Sequence, residues 1–171
     1  MRQSVQAVPA ILEDTPVPRV EIRAASELPA PAQAVWERVT SMAGINHELG
    51  PWFRMTAPRG AELSLDVVPL GRRWFRSWIL LFGVLPVDYD DLCVERLEAG
   101  RGFLERSRML SATVWEHERT LEPTGAAVTR LTDRVAFSPR LAPAARLQRA
   151  LIAATFRHRH RRLRAHFERV S

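Results

Sequence analysis

The chain is 171 residues long with 46% apolar and 26% charged residues, enough for one folded domain and too apolar for a disordered chain. All 25 basic residues are arginine against 19 acids, a net charge of +6, and the excess sits in 140–171, which holds nine arginines and one glutamate. The longest apolar stretch, 78–85, has eight residues, against the roughly 20 that a spanning helix needs; a lone Cys93 excludes an internal disulfide or a CxxC element.

Residues 1–18 carry Pro9, Pro16 and Pro18 without sustained periodicity and read as an arm ahead of a single domain over 19–171. No apolar core of secretory length precedes Glu13 and Asp14, so a cytoplasmic location is expected. Val20, Ile22, Ala24 and, after a slip, Leu28 alternate with polar residues as in a first strand. Pro29 and Pro31 break it, and Val35, Trp36 and Val39 then recur at helical spacing, which predicts an amphipathic helix over 32–40. Met42, Ile45 and Leu49 predict a second short helix, stopped by Gly50 and Pro51. Strands are expected at 52–56, 62–68, 88–98, 103–109, 113–121 and 127–137, bounded by glycine and proline signals. Helices do not alternate with these strands, so a parallel doubly wound sheet is excluded. From 143 to 169 an apolar stripe of Leu147, Leu151, Ile152, Phe156, Leu163 and Phe167 predicts one long helix, on the order of 40 Å at about 1.5 Å per residue.

This order, carried by Val20–Val39 with its strand, proline turn and Val35-Trp36 helix, and by Phe156-Arg-His-Arg-His-Arg-Arg-Leu163 with Phe167, resembles the START-like or SRPBCC superfamily. The resemblance implies an α+β helix-grip fold, in which a curved antiparallel sheet wraps a long C-terminal helix and two short helices follow the first strand. It also implies a cavity between sheet and helix, which members use for lipids, hormones, aromatic polyketides or other apolar molecules. No catalytic motif comes with it, since function on a shared fold is grafted.

Three segments carry chemistry worth weighing. In 71–89, Arg72, Arg73 and Arg76 flank Trp74 and Phe75 ahead of the apolar run; core packing, a cavity wall or lid, and contact with a membrane or partner all remain open. In 113–119, period-two geometry puts Trp115, His117 and Arg119 on one face, where His117 either pairs across strands or serves a ligand as hydrogen-bond donor or general base. Asp133 shares a face with Leu131, Val135 and Phe137, so it must meet an arginine or a ligand group.

The acidic run 88–91 lacks the pattern of a calcium loop, and the five histidines lack HExxH spacing, so neither metal nor cofactor is expected. His160 lies on the apolar stripe of the last helix, where local hydrogen bonding is the default, and Arg157, Arg159, Arg161, Arg162 and Arg164 read as a solvated face. The aromatics of that basic segment fall on its apolar stripe, which argues against nucleic acid. The leading expectation is a binder of an apolar or amphipathic small molecule, with Trp52, Trp78, Phe82, Trp115, His117, Asp133, Phe137, Phe156 and His160 as cavity candidates. The alternatives are a cyclase or dehydratase using His117 or Asp133 in the same cavity, and a basic surface module for anionic lipid or nucleic acid.

Overall fold

The computed structural model describes residues 20–58 and 68–170. Strand β1 (Val20–Leu28) leads into α1 (Ala32–Val39) and α2 (Met42–Leu49), followed by β2 (Phe53–Met55), β3 (Arg73–Leu81), β4 (Leu85–Glu98), β5 (Gly102–Met109), β6 (Ala112–Gly125) and β7 (Val128–Pro139). A short 3-10 turn at Ala142–Ala144 then opens the terminal helix α3 (Ala145–Val170). Among the described residues the seven strands form one antiparallel sheet in the order β1-β7-β6-β5-β4-β3-β2. This is the α+β helix-grip fold, and α3 packs along β1. The strand expected at 62–68 and the N-terminal arm fall outside the described residues, Val68 apart.

Local signals explain the small helices. Pro31 is extended before α1, Trp36 and Val39 bury one face, and the Thr40 amide closes the helix on the Trp36 carbonyl. Ser41 caps α2 by accepting from the Gly44 amide at 3.0 Å, the preferred way to satisfy a free helical N–H. A Cβ at Gly44 would run into the Arg38 carbonyl oxygen, so glycine lets α2 fold back on the end of α1. Asn46 then holds β2, donating to the Met55 carbonyl at 3.0 Å and accepting from its amide at 2.7 Å.

The segment at 71–89 is a strand and hairpin of the sheet. Its periodicity is obscured by a register shift between Arg73 and Phe75, a bulge that turns both Trp74 and Phe75 toward the interior. The three-residue turn to β4 places Phe82 at φ 51° and Gly83 at φ 75°, with the Val84 amide bonded to the Leu81 carbonyl. Glycine takes this geometry freely; Phe82 takes it under strain.

Two apolar clusters fill the interior. One joins Leu28, Trp36, Leu121, Leu131, Leu163 and Phe167; the other joins Ile22, Met109, Val135, Phe137 and Phe156. Between them, the same elements place polar side chains: Ser26 on β1, His117 and Arg119 on β6, Asp133 on β7, and Arg159 and His160 on α3.

Candidate functional site

The polar layer is organised by cross-strand register. Arg119 stands opposite Asp133 and His117 opposite Val135, so both β6 side chains reach the Asp133 carboxylate. Arg119 donates from Nε to Oδ1 at 2.7 Å and from Nη2 to Oδ2 at 2.8 Å, the two-pronged geometry that guanidinium and carboxylate share. His117 Nε2 lies 2.8 Å from Oδ1, and His160 Nε2 lies 3.0 Å from Oδ2. Asp133 is 1% exposed. Burial alone would raise its carboxyl, but Arg119 and His117 hold it well below the usual carboxylate range. An ionised carboxylate only accepts, so both imidazoles donate to it from Nε2. His160 Nδ1 is then the atom 2.8 Å from Ser26 Oγ.

Glu48 closes the other side of Arg119. Fully buried on α2, it accepts from Arg119 Nη1 at 3.2 Å and Nη2 at 3.1 Å, and from Arg159 Nε at 2.9 Å. Two carboxylates thus face two guanidiniums. Burial would lower the Arg119 pKa, yet Asp133 and Glu48 raise it further above its ordinary value. Breaking such a group from one side leaves an uncompensated charge in low dielectric.

Beyond this layer lies a cavity of about 610 Å³, bounded by the inner sheet face, α2 and α3. Trp74, Phe75 and Ile79 of β3 form one wall, Leu92 and Val94 of β4 continue it, and Met42 and Ile45 of α2 and Ile152 and Phe156 of α3 close the opposite side. Its polar end is Asp90, Glu105, His117 and Arg159. Ser107 Oγ donates to Glu105 Oε1 at 2.8 Å, while His117 Nδ1 stands 3.8 Å from Glu105 Oε2. Burial would raise Glu105, but His117 keeps it low. Burial, and then the charge of Glu105, push Asp90 well above the usual range. Cys93, its pKa raised to about 11 by burial and by Glu95, is no ready nucleophile.

The structure places Trp115, His117 and Phe156 on the cavity wall. Asp133 and His160 stand behind it, joined to His117 through the Asp133 carboxylate. Phe137 is fully buried beneath Trp115, ring centroids 6.2 Å apart. Trp52, Trp78 and Phe82 lie largely exposed, Trp52 against Phe82 and Trp78 against Tyr89 on the outer side. Trp74 and Phe75 face the cavity, whereas Arg73 and Arg76 hold Asp91 at 3.1 and 2.7 Å. His160 is bonded to β1 and β7 instead of locally, and Arg159, expected on a solvated face, is buried on Glu48.

Sequence reasoning passed over Glu48 and Glu105, and weighed Asp90 only within the acidic run 88–91 as a cation site. Two carried a signal: Glu48 follows Ile45 by three residues on the apolar stripe of α2, and Asp90 alternates with Leu92 and Val94 on the inner face of β4. The acids of the 88–91 run have separate tasks, since Asp88 accepts from the Leu110 and Ser111 amides at 2.8 and 3.3 Å, Asp91 takes Arg73 and Arg76, and Asp90 faces the cavity.

A family model described as a domain of unknown function (DUF8410) matches residues 26–167. No curated protein matches the chain. Among solved structures, the Zhui aromatase/cyclase from Streptomyces sp. R1128 superposes with a TM-score of 0.67 at 14% identity, covering 88% of this chain and 94% of its own. Protein CV1439 from Chromobacterium violaceum gives 0.65 at 17% identity, over 86% and 97% of the two chains. A START superfamily protein from Mycobacterium smegmatis gives 0.64 at 12%, over 88% and 99%. At these identities the likeness establishes the START-like (SRPBCC) helix-grip fold and leaves the chemistry to the site. No helix among the described residues is long and apolar enough to cross a membrane.

Proposed function

Because the chain belongs to the DUF8410 family and has the START-like fold, we propose that it binds an apolar or amphipathic small molecule, lipid-like or polyketide-like, between its sheet and α3. The observation that carries this reading is the cavity itself: about 610 Å³, within the range of roughly 300–1,000 Å³ usual for ligand sites, with apolar walls and a few convergent polar groups. Trp115, Phe156, Trp74 and Phe75 supply the apolar contact, and His117, Asp90 and Glu105 orient the polar end. Asp133 and His160 act through His117 as positioning residues.

The rim supports loading from an anionic membrane surface. Val84 and Leu85 on the β3–β4 hairpin and Leu151 on α3 are exposed, and Val87 and Leu151 border the cavity. Arg54, Arg146 and Arg149 are exposed beside these elements. Apolar tips flanked by arginines fit the boundary between headgroups and acyl chains.

Native mass spectrometry of protein purified gently from its own host tests the binding reading: a stoichiometric apolar adduct is expected. A bare chain that also takes up no apolar fluorescent probe would overturn it. Co-sedimentation with phosphatidylglycerol vesicles, lost at high salt, tests the loading route.

A second reading, an enzyme of the cyclase or dehydratase kind, is favoured by one arrangement: an imidazole backed by a carboxylate and a carboxylic acid converge on one cavity. His117 would take a proton from carbon and Asp90 would give one to the departing hydroxyl, which leaves as water as the double bond forms. Water loss from a β-hydroxy ketone polyketide intermediate, abolished by His117→Phe, is the result expected of it. Unchanged substrate in the presence of folded protein would sink it.

A further inference from the structure

Arg159 reaches the cavity with part of its donor set unused. It is 8% exposed and borders the cavity at its polar end. Nε and Nη2 both close on Glu48 Oε2 at 2.9 Å. Nη1, at the opposite corner of the guanidinium, makes no hydrogen bond among the described residues. Nor is it sealed inside the protein. The buried side-chain atoms without a partner among those residues are Arg38 Nε, His47 Nδ1 and Asp90 Oδ1, so Nη1 keeps accessible surface, and on a side chain buried this deeply that surface opens on the cavity.

The guanidinium is held from two sides. Glu48 takes one edge, and Cζ stands 4.9 Å over the ring of Phe156, a neighbouring residue of the wall. A donor fixed in this way loses little freedom when an acceptor meets it, and a charged N–H bonds more strongly than a neutral one. The hydroxyls of the same lining are already committed: Thr40 and Thr155 donate to the Trp36 and Leu151 carbonyls, Ser77 to the Thr56 carbonyl and Ser111 to Asp88. We infer that the ligand carries an uncharged carbonyl oxygen, that of a ketone or ester, on an apolar body, seated so that it accepts from Arg159 Nη1.

The charge count works against a carboxylate at the same point. Arg119 and Arg159 already balance Glu48 and Asp133, His117 is set between Asp133 and Glu105, and Glu105 borders the same cavity. A ligand carboxylate would be stripped of water with no further arginine among the described lining residues to balance it. A bare hydrocarbon meets no such penalty but leaves the Nη1 donors unmet.

This inference rests on the cavity-binding reading, and three fluorescent probes with one apolar body keep the two apart: 1-ethylpyrene, 1-acetylpyrene and pyrene-1-carboxylate. The full chain should bind 1-acetylpyrene about tenfold more tightly than 1-ethylpyrene, the gain of a charge-assisted hydrogen bond, and should bind pyrene-1-carboxylate more weakly than 1-acetylpyrene. The infrared carbonyl stretch of bound 1-acetylpyrene should lie below its position in dry hexane. Arg159→Met alone would strand Glu48, so it is combined with Glu48→Gln, which removes two opposite charges together and leaves Arg119 its bonds to Asp133. In that double variant the two uncharged probes should bind within about twofold of each other, and the carbonyl stretch should return toward its hexane value. The measurements on the unaltered protein decide the matter whether or not the variant folds. Equal affinities for 1-ethylpyrene and 1-acetylpyrene, tightest binding of the carboxylate, a carbonyl stretch at its hexane value in the unaltered protein, or an intact preference in the folded double variant would each overturn the inference while leaving the cavity reading standing. Failure of all three probes to bind would overturn the cavity reading and the inference with it.

Discussion

The interior holds two polar groups of opposite character, with His117 between them. Around Asp133 the books close: two carboxylates meet two guanidiniums, and two histidines complete the acceptor set of Asp133. Around Asp90 they do not: the residue borders the cavity, burial and the charge of Glu105 push its carboxyl well above the usual range, and its buried Oδ1 has no hydrogen-bond partner among the described residues. The first arrangement fixes how β6, β7, α2 and α3 sit together. The second lies at the polar end of the cavity, with Glu105 and His117. His117 belongs to both, touching Asp133 with one nitrogen and facing Glu105 with the other.

The comparison breaks if the two groups respond alike to substitution. Arg119→Met strands Glu48 and Asp133, and a loss of about 3–5 kcal/mol in urea unfolding is expected; a loss below 1 kcal/mol would mean the saturated layer is not a structural unit. Next in size is Leu163→Ala, since Leu163 is fully buried and truncation there costs about 2–5 kcal/mol, measured in the same way.

The pH dependence sharpens the contrast because the two acids have opposite signs. Asp133 is lowered on folding, so its contribution is present above the unfolded value near 4 and lost as pH falls through the folded value. Asp90 is raised, so the stability tied to its proton is present below about 4 and lost as pH rises toward the folded value. Unfolding free energies from pH 3 to 8 should therefore show Asp90→Asn gaining on the unaltered protein as pH rises, by roughly 1 kcal/mol or more. Parallel curves would refute the raised Asp90 carboxyl. The smallest effect is expected of Leu151→Ser at the exposed rim, within about 0.5 kcal/mol in stability.

Much of the fold was legible because it depends on local periodicity. The first strand, both short helices and the terminal helix fall within a residue or two of their expected bounds. The segment at 71–89 resisted because Trp78 and Leu80 on one face are as apolar as Ile79 and Leu81 on the other, and the bulge at Trp74 breaks the alternation. The site was harder to read because its partners are remote in sequence. Asp133 advertised its need for a cation by lying on an apolar face, and Arg119 answers it across the β6–β7 register. Glu48 is 71 residues from Arg119 and 111 from Arg159, and no local spacing carries that pairing. Arg159 looked like one cation among five; only packing distinguishes the one turned inward.

The polar layer also has a mechanical consequence for α3. It grips the helix at Arg159 and His160, and Leu163 and Phe167 bury the turns that follow. Ahead of that grip the tie is lighter: Leu147 and Leu151 are exposed, and Gln148 reaches Ser111 through bonds of 3.3 and 3.4 Å. A beam clamped at one end bends at the other. Amide hydrogens of 146–155 should therefore exchange sooner than those of 159–167, and passage into the cavity can proceed by flexing the free half of the beam while the sheet stays closed around its root.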